Sequence, residues 1–136
     1  MGQSYEIYNL VSMPDLQVNA RFIPYYKTAF QVEPTGTMIG EVGIKIGSTR
    51  LFINPNSTEA DMNKTPVSMA KSWSVDLSQN ARISNEVDGR MYKFTIETDD
   101  LSLTFIRKLY AISGLEPQFH FDYKAKLHSE NIDIHG

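Results

Sequence analysis

Residues 118–127 read QFHFDYKAKL, and their side chains alternate between apolar and polar without a break. The odd-numbered positions, from Phe119 to Leu127, are apolar or aromatic, and the even-numbered positions, from His120 to Lys126, are polar or charged. Successive side chains of a β-strand point to opposite faces of the sheet. The pattern therefore predicts a strand with one face buried and the other in water.

The same alternation returns along the chain, and turn sequences separate its occurrences. Asp88-Gly89 stands between two such segments and readily adopts the positive φ angles of a hairpin turn. Gly47-Ser48 and Asp99-Asp100 are predicted to turn the chain in the same way. Further strands are predicted at residues 16–22, 38–46, 49–53, 73–77 and 101–105. We therefore predict an all-β, mainly antiparallel fold, a β-sandwich or partly open barrel of about 8–10 strands.

Helix signals are few, and at most one or two short helical turns fit the sequence. Ser57 or Thr58 is a suitable cap for a single turn that ends at Met62. Residues 107–113 fit either a short helix closed by Gly114 or a continuation of strand. The few helical turns do not change the predicted fold class.

Composition limits what the chain can be. It has 136 residues, 41% hydrophobic and 21% charged, which suits one domain with an ordinary packed core. The absence of cysteine excludes disulfides, thiolate nucleophiles and cysteine-ligated metal sites. A net charge of −3 argues against nucleic acid or anionic lipid as a partner. No apolar run approaches the roughly 18 residues that membrane insertion needs. We interpret residues 1–136 as a single β domain excised from a larger protein, with residues 1–4 as a cloning remnant.

Motifs of the common enzyme classes are missing from the sequence. It contains no Gly-x-Ser-x-Gly elbow, no glycine-rich phosphate loop and no His-Glu-x-x-His. We therefore predict no catalytic residues, no metal ligands and no cofactor. His120 and Asp122 share the polar face of one strand, where a solvated surface is a simpler interpretation than half of a metal or acid–base site. Glu97, Asp99 and Asp100 form an acidic tip of the kind calcium favours, without the spaced ligands of a calcium loop.

Contact residues are the remaining candidates. Tyr25 and Tyr26 are adjacent and form either a contact patch or ordinary loop packing. Trp73 is the sole tryptophan and is predicted to be a core anchor, with a stacking surface for a sugar or base as the alternative. Asn56 begins an Asn-Ser-Thr sequon in the polar loop over residues 54–66 and is a candidate glycosylation site.

Three segments of the chain carry a family resemblance. Residues 16–22 read LQVNARF, residues 40–47 read GEVGIKIG and lead on to Ile53, and residues 120–123 read HFDY. In this order they resemble von Willebrand factor type D domains, and are most similar to the cysteine-poor branch in plant root-cap and late-embryogenesis-like proteins. The resemblance implies an extracellular β-module inside larger structural or adhesive proteins. Animal type D domains are rich in disulfides, whereas this chain has no cysteine, so any assembly through it must be non-covalent.

The resemblance sets our expectation for function. We expect a non-catalytic module of a secreted or cell-surface structural or adhesive protein, which contacts other proteins or extracellular matrix and is able to self-associate non-covalently. A cytoplasmic location is the alternative, since a chain without cysteine suits that compartment equally well.

Two other functions stay open. The first is a closed β-barrel that binds a small apolar ligand in an interior lined by Phe94, Phe119, Phe121 and Tyr123. The second is a small hydrolytic enzyme, which requires titratable side chains that converge in one cleft.

Overall fold

Antiparallel strands make up most of the computed structural model, which describes residues 7–25, 36–77, 81–89, 91–110 and 118–128. These ranges contain eleven strands and no helix. The strands are β1 (Ile7–Ser12), β2 (Leu16–Tyr25), β3 (Gly36–Ile46), β4 (Thr49–Ile53), β5 (Glu59–Met62), β6 (Thr65–Ser68), β7 (Trp73–Leu77), β8 (Ala81–Asp88), β9 (Met91–Glu97), β10 (Leu101–Tyr110) and β11 (Gln118–Leu127). The predicted all-β class is confirmed.

The strands form one curled sheet that resembles half of a barrel. Its order is β6-β5-β4-β3-β11-β10-β9-β8-β7, and β2 and then β1 extend from the other side of β3. Among the described residues, no ladder joins β6 to β7, so the sheet stays open between its two ends. The closed barrel considered above is therefore not the geometry that this sheet adopts.

The long strand β3 connects the two halves of the sheet. One side of β3 pairs along its length with β2. The other side is divided, because Val42–Ile46 pair with β4 while Ile39 pairs with Phe121 of β11. The strands β4, β5 and β6 therefore extend from one part of this side, and the strands β11, β10, β9, β8 and β7 extend from the other part. The curl of the sheet brings the apolar faces of the two groups together.

Aromatic rings from the second half of the chain occupy the centre of the core. Phe94, Phe105 and Phe121 are all fully buried. The Phe105 ring centroid lies 6.1 Å from that of Phe121 and 5.3 Å from that of Tyr123. Three of the rings that a closed barrel would turn toward a ligand, those of Phe94, Phe121 and Tyr123, thus pack against other aromatic rings.

The turns predicted at Gly47 and Gly89 are confirmed. Gly47 and Gly89 have φ angles of +57° and +63°, and each lies in the short connection of an antiparallel hairpin. Asp99 and Asp100 connect β9 to β10, where the Thr98 hydroxyl accepts hydrogen bonds from the Asp100 and Leu101 amides. These turns fix the register of three hairpins, β3–β4, β8–β9 and β9–β10.

The helical turn predicted at Ser57–Met62 is wrong. Glu59–Met62 form β5, which pairs with β4 on one side and β6 on the other. The Ser57 hydroxyl accepts a hydrogen bond from the Glu59 amide only two residues away, in a tight turn and not a helix cap. Burial of Ala60 in the core then favours strand over helix. The short strands β5 and β6 raise the number of described strands to eleven, just above the predicted 8–10.

The alternatives at the end of β10 are partly resolved. Residues 107–110 continue the strand and pair with β11. Residues 111–117 lie outside the described ranges. In the part of the chain that the structure describes, no helix is long and apolar enough to cross a membrane.

Gly89→Ala is expected to lower the free energy of unfolding by about 1–2 kcal/mol. The space around its Cα is open, so the cost comes entirely from placing a Cβ on a residue with positive φ. Urea unfolding followed by Trp73 fluorescence measures it. Gly43→Ala is the matched control, because its surroundings are equally open and its φ is ordinary, and it should be neutral or slightly stabilising. Equal losses at both glycines would contradict the turn assignment.

Candidate functional site

A half-open cleft lies at the mouth of the curled sheet and has a volume of about 400 Å³. It is bounded by the end of the loop before β5, the segment after β6, the β8–β9 hairpin, and the adjoining parts of β10 and β11. Its lining residues are Thr58, Met69, Ala70, Val87, Gly89, Met91, Tyr92, Arg107 and Phe119. We call it the Arg107 cleft, after the charged side chain in its wall.

Hydrogen bonds across the open side of the sheet hold the walls of the Arg107 cleft in place. The Met69 amide donates to the Thr58 carbonyl at 2.7 Å. The Nδ2 of buried Asn85 donates to the carbonyls of Met69 at 3.2 Å and Lys71 at 2.9 Å. The Trp73 indole donates to the Ser68 carbonyl at 2.9 Å. The Asn85 and Trp73 bonds tie the segment after β6 to the opposite half of the sheet, although no ladder among the described residues joins the two.

The strand pattern of β10 places Arg107 in the interior. Leu101, Leu103 and Phe105 are fully buried on one face, and Arg107 continues the same row with only 8% of its surface exposed. Because side chains on a strand repeat every two residues, the alternation carries this arginine inward whatever its charge. Extending the pattern of LSLTF by one step therefore identifies Arg107, which our sequence analysis missed because residues 107–113 also fitted a helix.

The guanidinium of Arg107 is held by a backbone oxygen and an aromatic ring. Its Nε donates to the Pro55 carbonyl at 2.6 Å. Its Cζ lies 3.7 Å from the centroid of the Phe119 ring and 5.7 Å from that of Tyr92. A cation over a desolvated ring gains about 2 kcal/mol. Burial lowers the pKa of Arg107, but an arginine starts so high that it remains charged.

The Tyr92 hydroxyl is a buried polar group without a partner among the described residues. Two other buried side-chain oxygens share this condition, the Oδ1 of Asn85 and the hydroxyl of Tyr123. Tyr92 alone of the three belongs to the lining of the Arg107 cleft. Burial raises the pKa of Tyr92 to about 12, so its hydroxyl keeps its proton and can donate a hydrogen bond at neutral pH.

Tyr92→Phe is expected to remove part of the loss of stability at alkaline pH. The pKa of Tyr92 is about 12 in the folded state and about 10 in the unfolded state. The contribution of Tyr92 to the free energy of unfolding is thus complete below pH 10. It is lost as the pH rises through 12, because the tyrosine ionises at a lower pH in the unfolded chain than in the folded protein. Between pH 9 and pH 12 the free energy of unfolding of the unmodified protein should fall by about 2 kcal/mol more than that of Tyr92→Phe. Urea unfolding at both pH values measures this, and identical losses contradict the burial of the hydroxyl.

Trp73 lies at the start of β7, where its ring is half-buried. It meets the ring of Phe94 edge-on, with centroids 6.2 Å apart. Together with the bond from its indole to Ser68, this contact agrees with the predicted anchor. The stacking alternative at Trp73 stays a prediction.

None of the other predicted contact residues is among the described lining residues of the Arg107 cleft. Tyr25 ends β2, and its side chain is not described, while Tyr26 lies outside the described residues. Asn56 is exposed, and its Oδ1 accepts a hydrogen bond from the Phe119 amide at 3.2 Å. Glycosylation at Asn56 stays a prediction.

His120 and Asp122 lie together on the outer face of β11. The His120 Nε2 is 3.5 Å from one Asp122 carboxylate oxygen, and the Lys108 Nζ is 2.5 Å from the other. Burial lowers the pKa of His120, which keeps the ring neutral at pH 7. The pair is thus part of a small ion cluster on the sheet surface.

The acidic tip is an exposed turn that contains Glu97, Asp99 and Asp100. No three histidine, cysteine or acidic side chains within the described ranges form a group able to hold a metal ion. Calcium binding there stays untested.

A serine–histidine contact occurs at the far end of the β10–β11 ladder. The Ser102 Oγ lies 3.0 Å from the His128 Nε2, and the pair is exposed to solvent. It is not part of the Arg107 cleft. A hydrogen-bonded pair on an open surface does not provide the enclosed site that hydrolysis requires.

Comparisons with models of known protein families, with curated proteins and with solved structures find no match to this chain. The resemblance to von Willebrand factor type D domains therefore stays a prediction.

Proposed function

We propose that this chain is a non-catalytic binding module and that the Arg107 cleft is its ligand site. The observation that carries the proposal is the cleft, which has mostly apolar walls, one buried cation and a volume of about 400 Å³. This size is within the range of small-molecule sites, which are largely apolar with a few polar groups that orient the ligand. The proposal retains the ligand-binding alternative and replaces its closed barrel with an open cleft.

The titratable groups in the cleft wall support binding over catalysis. General acid–base chemistry works best with a group that titrates near the operating pH. Among the described residues lining the cleft, Tyr92 and Arg107 are the titratable ones, and burial raises the pKa of Tyr92 to about 12. At neutral pH both therefore keep their protons and act as hydrogen-bond donors.

Filling the cleft tests the proposal. A titration of ¹⁵N-labelled protein with 1-octanol should shift the amide signals of Ala70, Met91 and Phe119. Ala70 is exposed and lines the cleft, so Ala70→Phe should fill it and abolish these shifts without disturbing the core. Ala125→Phe is the matched control, because Ala125 is equally exposed and lies outside the cleft. An absence of shifts, or shifts that persist in Ala70→Phe, overturns the proposal.

Protein contact in a secreted or cell-surface structural protein is the second candidate, and the outer edge of β1 favours it. β1 pairs only with β2 among the described residues, so it lies at an edge of the described sheet, where a further strand can add. Ile7 and Tyr8 on this strand are 66% and 44% exposed. Sedimentation velocity over a range of concentrations tests self-association through this edge. We expect Ile7→Lys to weaken it and a reducing agent to have no effect.

A further inference from the structure

The loop between β4 and β5, residues 54–58, is held against the start of β11 by a side-chain hydrogen bond. We call it the latch loop. The described pairing of β11 with β3 consists of Phe121 and Ile39. Two residues before Phe121, the Phe119 amide donates to the Asn56 Oδ1 at 3.2 Å. In the part of the chain that the structure describes, a side chain thus takes the place of a neighbouring strand at Phe119.

A second hydrogen bond anchors the latch loop from the interior. The Arg107 Nε donates to the Pro55 carbonyl at 2.6 Å. Pro55 is buried, while Asn56 and Thr58 on the same loop are exposed. Because proline has no amide hydrogen, its burial leaves the carbonyl as the backbone group that needs a partner, and Arg107 provides one. The latch loop therefore reaches the interior with one buried residue, which a side chain of β10 holds.

The latch loop and its two anchors belong to the wall of the Arg107 cleft. Thr58 of the loop lines the cleft, and its carbonyl accepts a hydrogen bond from the Met69 amide at 2.7 Å. Arg107 and Phe119, which anchor the loop, line the same cleft. A movement of the loop away from these anchors therefore widens the cleft.

The bonds of the latch loop favour movement as one unit. Segments with few backbone bonds to their surroundings open more readily than paired strands. Residues 54–58 belong to no described ladder, whereas β4 and β5 on either side are paired. Within the loop, the Asn56 amide donates to the Asn54 Oδ1, and the Ser57 amide donates to the Asn54 carbonyl. These internal bonds preserve the shape of the loop when its anchors are released.

We propose that the latch loop is a lid of the Arg107 cleft, which the Asn56–Phe119 and Pro55–Arg107 hydrogen bonds hold closed and which opens to admit the ligand. This inference rests on the proposed function and adds the route by which the ligand enters and leaves. The anchors hold the lid both in the free and in the ligand-bound protein. Weakening one anchor should therefore speed entry and release by the same factor and leave the affinity nearly unchanged.

Native-state hydrogen exchange tests the movement of the lid without a ligand. Asn56→Ala removes the acceptor of the Phe119 amide, and the loss of one ordinary hydrogen bond changes an equilibrium about fivefold. If the loop moves as a unit, the Met69 amide, which is bonded to Thr58 and not to Asn56, should also exchange about fivefold faster. Asn56→Asp keeps an acceptor oxygen and should retain the slow exchange of both amides.

Two results of the exchange experiment contradict the lid. A faster Phe119 amide beside an unchanged Met69 amide means that the loop does not move as a unit. Equal acceleration of the Phe105 amide, which lies on a strand paired on both sides, means that Asn56→Ala lowers the stability of the whole domain. Either result overturns the inference.

Binding kinetics of 1-octanol then connect the lid to the ligand. The line shape of the Met91 amide signal during a titration gives the association and dissociation rate constants. We expect Asn56→Ala to raise both rate constants about fivefold and to change Kd less than about twofold. Asn56→Asp should bind with the rates of the unmodified protein. So should Asn9→Ala, the control on an exposed asparagine outside the cleft.

The outcomes separate the lid from the proposed function. Rate constants that are unchanged in Asn56→Ala overturn the lid and leave the proposed function standing. A slower release in Asn56→Ala also overturns the lid, because a weakened anchor cannot retain the ligand longer. Failure of 1-octanol to bind the unmodified protein overturns the proposed function and the lid with it.

Discussion

Phe105→Ala is expected to lower the free energy of unfolding by about 3–5 kcal/mol. The ring is fully buried and contacts the rings of Phe121 and Tyr123 where β10 meets β11. Its removal leaves a cavity that strands paired on both sides cannot easily close. Urea unfolding at 25 °C, followed by circular dichroism, measures the change.

Phe52→Ala is the matched control for this prediction. Phe52 is also on a strand, but 44% of its surface is exposed, so truncation should cost about 1 kcal/mol or less. Similar losses at Phe52 and Phe105 would mean that the aromatic centre of the core is placed wrongly.

Asn85→Asp is expected to cost about 3 kcal/mol or more at pH 7. Asn85 is 1% exposed, and its amide group donates to the carbonyls of Met69 and Lys71. An ionised aspartate cannot donate, so both carbonyls lose their bond and face a buried negative charge. We also expect the segment after β6 to detach from the sheet, which should weaken ligand binding in the Arg107 cleft.

The pH dependence distinguishes this effect from a simple loss of packing. Burial raises the pKa of a carboxyl group, so the introduced aspartate should be destabilising at pH 7 and less so near pH 4, where it is protonated and can donate once. Asn9→Asp is the control, because Asn9 is exposed and should change stability little at either pH. Urea unfolding of both variants at both pH values gives the answer. A loss at Asn85 that is independent of pH contradicts the buried-charge explanation.

Local patterns were enough to predict the strands but not their partners. The alternation in residues 118–127 and the glycine turns at positions 47 and 89 identified β11 and two hairpins, because side-chain direction and positive φ are properties of neighbouring residues. The pairing of Phe121 with Ile39 depends on two segments far apart in the chain. The short strands β5 and β6 were missed because polar residues dominate them, and pairing with β4 holds them in place.

The Arg107 cleft could not be predicted from the sequence for a related reason. The predicted contact residues were two tyrosines, the tryptophan and a loop asparagine, whereas the two polar groups of the cleft are the inward-facing Tyr92 of β9 and Arg107 of β10. Tyr92 and Arg107 continue apolar rows, and a charged or hydroxyl-bearing residue at such a position breaks the local rule. Sites of this kind are where functional residues are expected to depart from the pattern. The convergence of the two residues depends on the curl of the sheet.

The divided side of β3 also determines when the sheet can be completed. Hairpins such as β3–β4 and β8–β9 need only neighbouring residues and form within microseconds. The contact between β3 and β11 brings together Ile39 and Phe121, which are separated by most of the chain. The conformational entropy of closing this long loop is lost before the pairing contributes any stabilising contacts. During synthesis β11 leaves the ribosome after the ten strands before it. The apolar face of the first half of the sheet therefore stays exposed until the later strands have been synthesised and pack against it. We expect slow folding that benefits from chaperones.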